Sequence, residues 1–484
     1  MPDLQRTTEG PTSAENAHAT IARSFLALGT GEVVARLIAF GAMLLVAHRA
    51  GAEGLGVISF SAAVLLYLSR VVDAGIDMGI GIREVSARRD TLGEFIPAIL
   101  AFRLLLAVIV GGIAGLASFA LLPSPEGPVV ALYCLTLVPM ALSARWALTG
   151  LDRTTSAGIA RVGGELAVFL SVAFVVRSSV DLWRVPLAQL IGDSLAAIIV
   201  LVGLRRLGVA TGLRWNAAIV QPLIVPHIAP YVGSTLLGIV LFNADVIVLR
   251  MFRDATTVGL YAAAYALVSF LLNIGGTYTL TLLPSLTRLA VDPAARQRVF
   301  EEAAAKVFLV VFPITIGGAM IGAEFLAALY GAEFAAAGPV LAVLLISAPL
   351  SLLRAVATIA IVAERKESVL LRVVAVSAVV NIALNLIVVP RWGMIGAALV
   401  TLATEMLRLA LSQFYASRLG FAVPRVTRVW KPVVAGLLMA LLLALPPVGR
   451  QPWIAIPAAA AAYGVVLMML GALKFRGGLP ELRV

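Results

Sequence analysis

Apolar residues fall along this chain in long blocks parted by short polar breaks. The blocks run to about 20 residues or more, the length of helix that crosses about 30 Å of hydrocarbon. Fourteen stand out, at 22–47, 55–80, 95–122, 128–148, 158–177, 185–204, 222–249, 257–287, 300–323, 335–362, 368–389, 393–417, 429–447 and 452–473. The breaks hold residues that end helices: Pro123 and Pro125, Asp292-Pro293, Gly338-Pro339 and Pro446-Pro447. The pattern predicts an all-α polytopic membrane protein with about 14 transmembrane helices. Residues 1–21 are polar and read as an N-terminal tail; the first apolar block is too long for the core of a secretory signal.

Composition agrees. The chain is 61% hydrophobic and 13% charged, against roughly one half and one quarter in soluble domains, and its mean hydropathy is +1.01. A soluble enzyme, a disordered scaffold and a fibrous protein are excluded. The net charge is +11, and its distribution explains it better than a nucleic-acid partner does. With the N-terminus inside, twenty-five of the 37 Lys and Arg residues fall in inner segments, seven in outer loops and five within spans. That alternation predicts an even number of spans in a bacterial inner membrane, with both termini cytoplasmic. The outer loops are too short to fold as domains, so function belongs inside the helices. Cys134 is the lone cysteine and the histidines are three, which offers no metal cluster and no cofactor site.

Two stretches repeat at an offset near 200 residues. One reads VVARLIAFGAMLLVAHRAGAEGLGVISFSAAVLLYL from Val33, the other LLGIVLFNADVIVLRMFRDATTVGLYAAAYALVSFL from Leu236. Each is a long apolar helix ending in Arg, a short loop, and a Gly that opens the next helix (Gly56, Gly259). Such a duplication predicts two pseudo-symmetric six-helix bundles, 22–206 and 207–421, followed by two additional helices and a tail over 422–484. Transporters of that build hold substrate between their halves.

Span two closes with DAGIDMGIGIREVSAR from Asp73, and spans eleven and twelve read NIALNLIVVPRWGMIGAALVTLATE from Asn381. With the repeat, these resemble the bacterial oligosaccharide flippase family, in the superfamily that also holds multidrug extruders and the lipid II flippase. The shared motif falls on Asn381, Asn385, Pro390, Gly393, Gly396, Ala397, Ala398 and Thr401. Physically, Pro390 ends a helix, the small residues permit close packing, and the two Asn residues share a face suited to interhelical hydrogen bonds. The resemblance implies a flippase, not an enzyme, that carries an undecaprenyl-pyrophosphate-linked oligosaccharide to the outer leaflet by alternating access. Its partners would be membrane lipids and, in surface polysaccharide (O-antigen, lipopolysaccharide) synthesis, a polymerase machinery.

Charges inside spans cost at least about 2.5–3.5 kcal/mol each on insertion scales and need partners or water. Arg36 and Arg70, on helices that line the cavity in that family, are the first candidates to bind the pyrophosphate, with Arg354 third. Glu32, Asp73, Asp77 and Asp245 would neutralise those arginines or carry a coupling Na+ or H+. Asn273, Thr277 and Thr281 share a face that either binds sugar hydroxyls or packs. Arg103 and Arg408 read as side chains that snorkel to an interface, and His227 as interfacial. Other readings stand beside the flippase of oligosaccharides. A cation-coupled multidrug extruder is disfavoured by the arginines and the 7% aromatic content. A lipid II flippase would want a more cationic first helix. A polymerase or ligase would need catalytic residues in a large outer loop, and no Ser-His-Asp or Cys-His arrangement is visible.

Overall fold

Helix follows helix along almost the whole chain, and the computed structural model describes residues 13–87, 91–289, 291–422, 430–445, 449, 451–476 and 479–482. Most of the tail expected at 1–21 and the break at Pro446-Pro447 lie outside them. Among the described residues ten helices are long and apolar enough to cross a membrane. Two of these, Gly31–Asp73 and Glu367–Arg418, are each broken by a glycine at positive φ, Gly51 (68°) and Gly393 (56°), and so supply two crossings apiece. The bent pair Ala217–Leu223 with Ile228–Leu241 makes a further candidate span, and Trp430–Leu443 is a shorter apolar helix. The fold is all-α apart from a short antiparallel ribbon, β1 (Leu473–Arg476) with β2 (Leu479–Leu482). The chain divides into two compact units: up to Leu45 with Val64–Gly233, and Val46–Ala63 with the chain from Ser234 onward.

The first unit takes its helices from α1 (Ser13–Asp73), α2 (Gly81–Ala87), α3 (Leu92–Leu121), α4 (Glu126–Cys134), α5 (Leu137–Leu142), α6 (Arg145–Gly150), α7 (Thr154–Val175), α8 (Arg184–Arg206) and α9 (Ala217–Leu223). Two of its crossings are interrupted. After Asp73, α1 breaks at Ala74 and Gly75, both at positive φ, and passes through a π-helical turn, Ile76–Ile80, before α2. Gly75 is required there twice over, because a Cβ would also strike Tyr231. The crossing from Glu126 to Gly150 is three short helices, parted at Leu135–Thr136 and Ser143–Ala144. The core beneath is Ile96, Ile99, Leu100 and Leu148 around Trp146, which meets Phe95 edge-on with centroids 6.0 Å apart. On α3, Ile113, Leu116 and Phe119 are exposed, as a face against acyl chains requires.

The second unit holds α10 (Val225–Phe252) beyond Gly233, α11 (Ala255–Leu280), α12 (Leu282–Arg288), α13 (Pro293–Tyr330), α14 (Gly338–Ala363), α15 (Glu367–Arg418), α16 (Trp430–Leu443) and α17 (Pro452–Met469). Asp292 caps α13 through the Ala295 amide at 2.9 Å, with Pro293 in the first turn, as the Asp-Pro break predicted. The last two helices pack on α13 through Met439, Leu443, Tyr463 and Leu467, and the Tyr463 hydroxyl donates to the Leu309 carbonyl at 2.7 Å.

The repeat is visible as a contact. A Cβ on Gly56 would overlap the Ala255 carbonyl, and one on Gly259 would overlap the Ala52 carbonyl; each partner stands 203 residues from its counterpart. Small residues let the two backbones touch, as at close helix crossings in lipid. Gly259→Leu is expected to cost about 1–3 kcal/mol by overpacking and to lower the unfolding temperature in detergent. Gly276→Ala, where a Cβ meets nothing within 4 Å, is expected to be neutral or stabilising.

Each broken hairpin satisfies its freed backbone groups with a charged side chain. Glu333 accepts from the Ala52 amide at 3.0 Å beside Gly51. Arg253 donates to the Pro390 and Arg391 carbonyls at 2.8 and 3.4 Å beside Gly393. Both breaks follow an Arg-x-Gly triplet, Arg49-Ala50-Gly51 and Arg391-Trp392-Gly393.

In the turn before α11, Asp254 accepts from the Thr257 amide at 2.8 Å and caps the helix. Hydrogen bonds from the Thr257 side chain, then its amide, hold the Asp254 carboxyl below its ordinary range. A value depressed by folding gives stability that is present above the unfolded pKa of about 3.9 and lost as pH falls through the folded value. Asp254→Ala is therefore expected to cost about 1 kcal/mol at neutral pH and progressively less below about pH 4, followed by thermal melts across that range.

Candidate functional site

In the first unit the interrupted crossings meet at one arginine. Arg103, on α3, is 3% exposed. Its guanidinium sits 2.9 Å from Asp77 and 3.5 Å from Asp73, and donates to the Met140 and Ser143 carbonyls at 3.3 Å each. Asp73 in turn accepts from the Asp77 amide at 3.0 Å, closing the π-helical turn. The two carbonyls come from the break between α5 and α6, so Arg103 stitches both breaks together. The expectation that Arg103 snorkels is corrected: leaving two carboxylates and two carbonyls without partners inside the bilayer would cost far more than burying one paired guanidinium. Asp73 and Asp77 are thus both committed to it. Arg70, three residues before Asp73, is partly buried and its Nε has no hydrogen-bond partner.

A second charged group lies nearby in the same unit. Glu32 and Arg36 pair across one helical turn at 2.9 Å, both about half exposed. Arg161 on α7 reaches Glu32 at 4.0 Å and Glu165 at 2.8 Å. Asp193 on α8 accepts from Gln189 at 3.1 Å. Arg145 interacts electrostatically with Asp77, Glu32 and Asp193, which attract it, and with Arg161, which repels it. Reasoning from spacing found Glu32 and Arg36 because they are local, and missed Arg145, Arg161, Glu165 and Asp193. The first two look like ordinary inner-loop arginines in the sequence.

In the second unit Asp245 on α10 is the centre. One carboxylate oxygen accepts from the Tyr261 hydroxyl at 2.8 Å and the Thr401 hydroxyl at 2.7 Å, and the other from the Asn385 amide at 2.7 Å. Asn385 also donates to Asn381, and Asn381 to Thr404. Asp245, Asn381, Asn385 and Thr404 are all buried. The interhelical bonds expected of the two asparagines are therefore present, and their shared target is an acid 140 residues away. No arginine or lysine makes an ion pair with Asp245 among the described residues; neutral donors hold it. The oxygens of this cluster are the Asp245 carboxylate, the Tyr261 and Thr401 hydroxyls, and the Asn385 Oδ1 that has no partner. Among the described residues no group of three or more His, Cys, Asp or Glu could hold a metal ion.

About one turn beyond Thr401 on α15, Glu405 takes Arg354 at 3.0 Å and the Ser351 hydroxyl at 2.6 Å, and pairs with Arg408. Arg408 is 5% exposed, so its expected snorkelling is corrected as well. Arg354 is placed in this pair at 15% side-chain exposure. Asn273 and Thr281 are exposed and bond their own helix, to the Ser269 and Tyr278 carbonyls at 2.7 Å each. The side chains of Thr277 and His227 lie outside the described residues.

Residues 21–290 match the family model described as polysaccharide biosynthesis protein. The chain belongs to that family. Solved structures repeat the fold over four fifths of the chain or more. A lipid II flippase MurJ in an inward closed conformation has a TM-score of 0.74 at 12% identity, over 92% of this chain and 98% of that one. An inward-facing multidrug resistance MATE transporter of the MOP superfamily has 0.60 at 13% identity, over 80% and 95%. A MOP superfamily transporter from Pyrococcus furiosus has 0.55 at 13% identity, over 83% and 95%. At these identities the likeness is one of fold. No curated protein sequence matches the chain.

Proposed function

We propose that this member of the polysaccharide biosynthesis family is a flippase. It moves an undecaprenyl-diphosphate-linked oligosaccharide from the inner to the outer leaflet of the bacterial cytoplasmic membrane, with both termini inside. The observation that carries this reading is the set of arginines on the first unit's apolar helices, from half-exposed Arg36 to Arg70, Arg103, Arg145 and Arg161, in a chain of this family. Arginines at that depth suit a large anionic headgroup, since guanidinium forks match phosphate oxygens. Arg36 and Arg70 are its first contacts in this reading. Arg354, bound to Glu405, contributes only if that pair opens.

Two features of the second unit support the rest. An apolar cavity of about 630 Å³, lined by Phe270, Ile314, Ile321, Met439, Tyr463 and Leu467, suits the isoprenoid tail. Asp245, caged by neutral donors, is the coupling site for Na+ or H+; Asn385 and Thr401 supply its remaining oxygens. Transport is by alternating access with no covalent step, and the product feeds a polymerase in surface polysaccharide assembly, of which O-antigen is one kind. The test is flipping of a lipid-diphosphate oligosaccharide in proteoliposomes under an imposed cation gradient. Arg36→Ala and Arg70→Ala are each expected to depress it at matched folding, and failure of the wild type to flip would overturn the reading.

A further inference from the structure

Among the arginines of the first unit's interior, Arg145, like Arg70, is set apart by what it does not bind; Arg70 stands three residues from Asp73, whereas Arg145 opens a helix at a fixed break. Arg103 is taken by Asp73 and Asp77, Arg36 by Glu32, and Arg161 by Glu165. Among the described residues no carboxylate or carbonyl takes a hydrogen bond from the Arg145 guanidinium. It is nonetheless surrounded by charge: Asp77, Glu32 and Asp193 attract it and Arg161 repels it. Each of those acids is already committed, Asp77 to Arg103, Glu32 to Arg36, and Asp193 to the Gln189 amide. Together they make a partly buried cation tolerable without using its donors.

The backbone holds it in place. Arg145 opens α6 directly after the break at Ser143–Ala144, whose Ser143 carbonyl is fixed by Arg103. The next residue, Trp146, is 2% exposed and wedged against Gly81 and Phe95. The Cα of Arg145 is therefore anchored on both sides while its five N–H donors stay unused. A planar donor fork on a rigid mount, inside a membrane, is costly unless a ligand completes it.

We propose that Arg145 is a further phosphate-binding residue of the first unit, beside Arg36 and Arg70, and that its ligand is a diphosphate ester group. This rests on the flippase reading for the source of that group, a lipid-linked diphosphate; free inorganic diphosphate shares the chemistry. Arg145 takes the phosphate oxygens in bidentate fashion. Arg161 adds positive field, and Asp193 keeps the site near neutral when it is empty.

The test has a ligand arm and a transport arm, both on the full chain. Thermal unfolding of the purified protein is followed with and without inorganic diphosphate, against sulfate at equal ionic strength. Diphosphate is expected to stabilise the wild type and to bind Arg145→Gln about 10- to 100-fold more weakly, the range for lost hydrogen bonds to a charged group. Without ligand, Arg145→Gln is expected to melt at or above the wild-type temperature, because no protein partner is orphaned. Arg145→Lys keeps the charge without the fork and should fall between. In proteoliposomes the same variant should raise KM for the lipid-diphosphate oligosaccharide. Diphosphate protection equal in wild type and Arg145→Gln, a ligand-free melt well below wild type, or an unchanged KM would each overturn the proposal and leave the flippase reading standing. Protection lost in the variant while the wild type moves no lipid-linked sugar would support the site, with free diphosphate as its source, and overturn the flippase reading instead.

Discussion

Arg103→Leu is expected to destabilise the protein by about 3–5 kcal/mol, the usual cost of removing one partner from a buried ion pair. Against a typical total of about 5–15 kcal/mol, that is enough to leave much of the first unit unfolded at growth temperature. The reason is the number of groups that depend on one side chain. Asp73 and Asp77 lose their counter-ion, and the Met140 and Ser143 carbonyls lose their donor, where lipid and apolar neighbours offer no replacement. The π-helical turn after Asp73 and the break before α6 are both held by those contacts. Thermal unfolding in detergent reads the effect. Adding Asp73→Asn and Asp77→Asn to Arg103→Leu should recover part of the loss, because it removes the orphaned charges. A melt for Arg103→Leu close to wild type would mean that the knot does not bear on stability.

Asp245→Asn is expected to leave the fold standing and to abolish the response to a cation gradient. The amide has the carboxylate's shape and can still accept from Tyr261, Thr401 or Asn385. What it lacks is the charge that a cation or proton would answer. Coupling between two sites through a conformational change is typically about 5- to 150-fold, and that factor should vanish in the variant while the melting temperature moves little. Asp245→Leu gives the contrast. It orphans the buried Tyr261 hydroxyl at about 1–3 kcal/mol and weakens Asn385 and Thr401, which keep only their bonds to Asn381 and the Ala397 carbonyl, so a loss of stability should accompany the loss of coupling. Gradient-driven transport by Asp245→Asn at the wild-type rate would remove Asp245 from the coupling scheme.

What the sequence discloses here follows the range of each interaction. Helix ends marked by Asp292-Pro293 or Gly338-Pro339 are local chemistry and were legible, as were the Glu32–Arg36 pair and the repeat that places Gly56 against Gly259. The break at Ala74–Gly75 was hidden inside an apolar run. Its cause, Arg103 on another helix, lies 26 residues from Asp77 in the chain. Arg103 and Arg408 were misread as interfacial because a lone arginine in an apolar block shows its span but not its partners. Asn385 and Thr401 carried a family signature, yet their common target, Asp245, stands 140 and 156 residues away. Arg145 resembled any inner-loop arginine, since the short helices α4 to α6 conceal that it is partly buried beside the charged groups of the first unit.

The most direct test of the central claim is transport itself. The wild type is reconstituted with a lipid-diphosphate oligosaccharide whose exposure is read by a leaflet-restricted probe, under an imposed Na+ or H+ gradient. The account predicts transfer between leaflets that collapses in Arg36→Ala and Arg70→Ala and loses its gradient dependence in Asp245→Asn. A wild type that moves no lipid-linked sugar but expels a cationic dye along the same gradient would contradict it, and would make the arginines structural parts of a drug extruder.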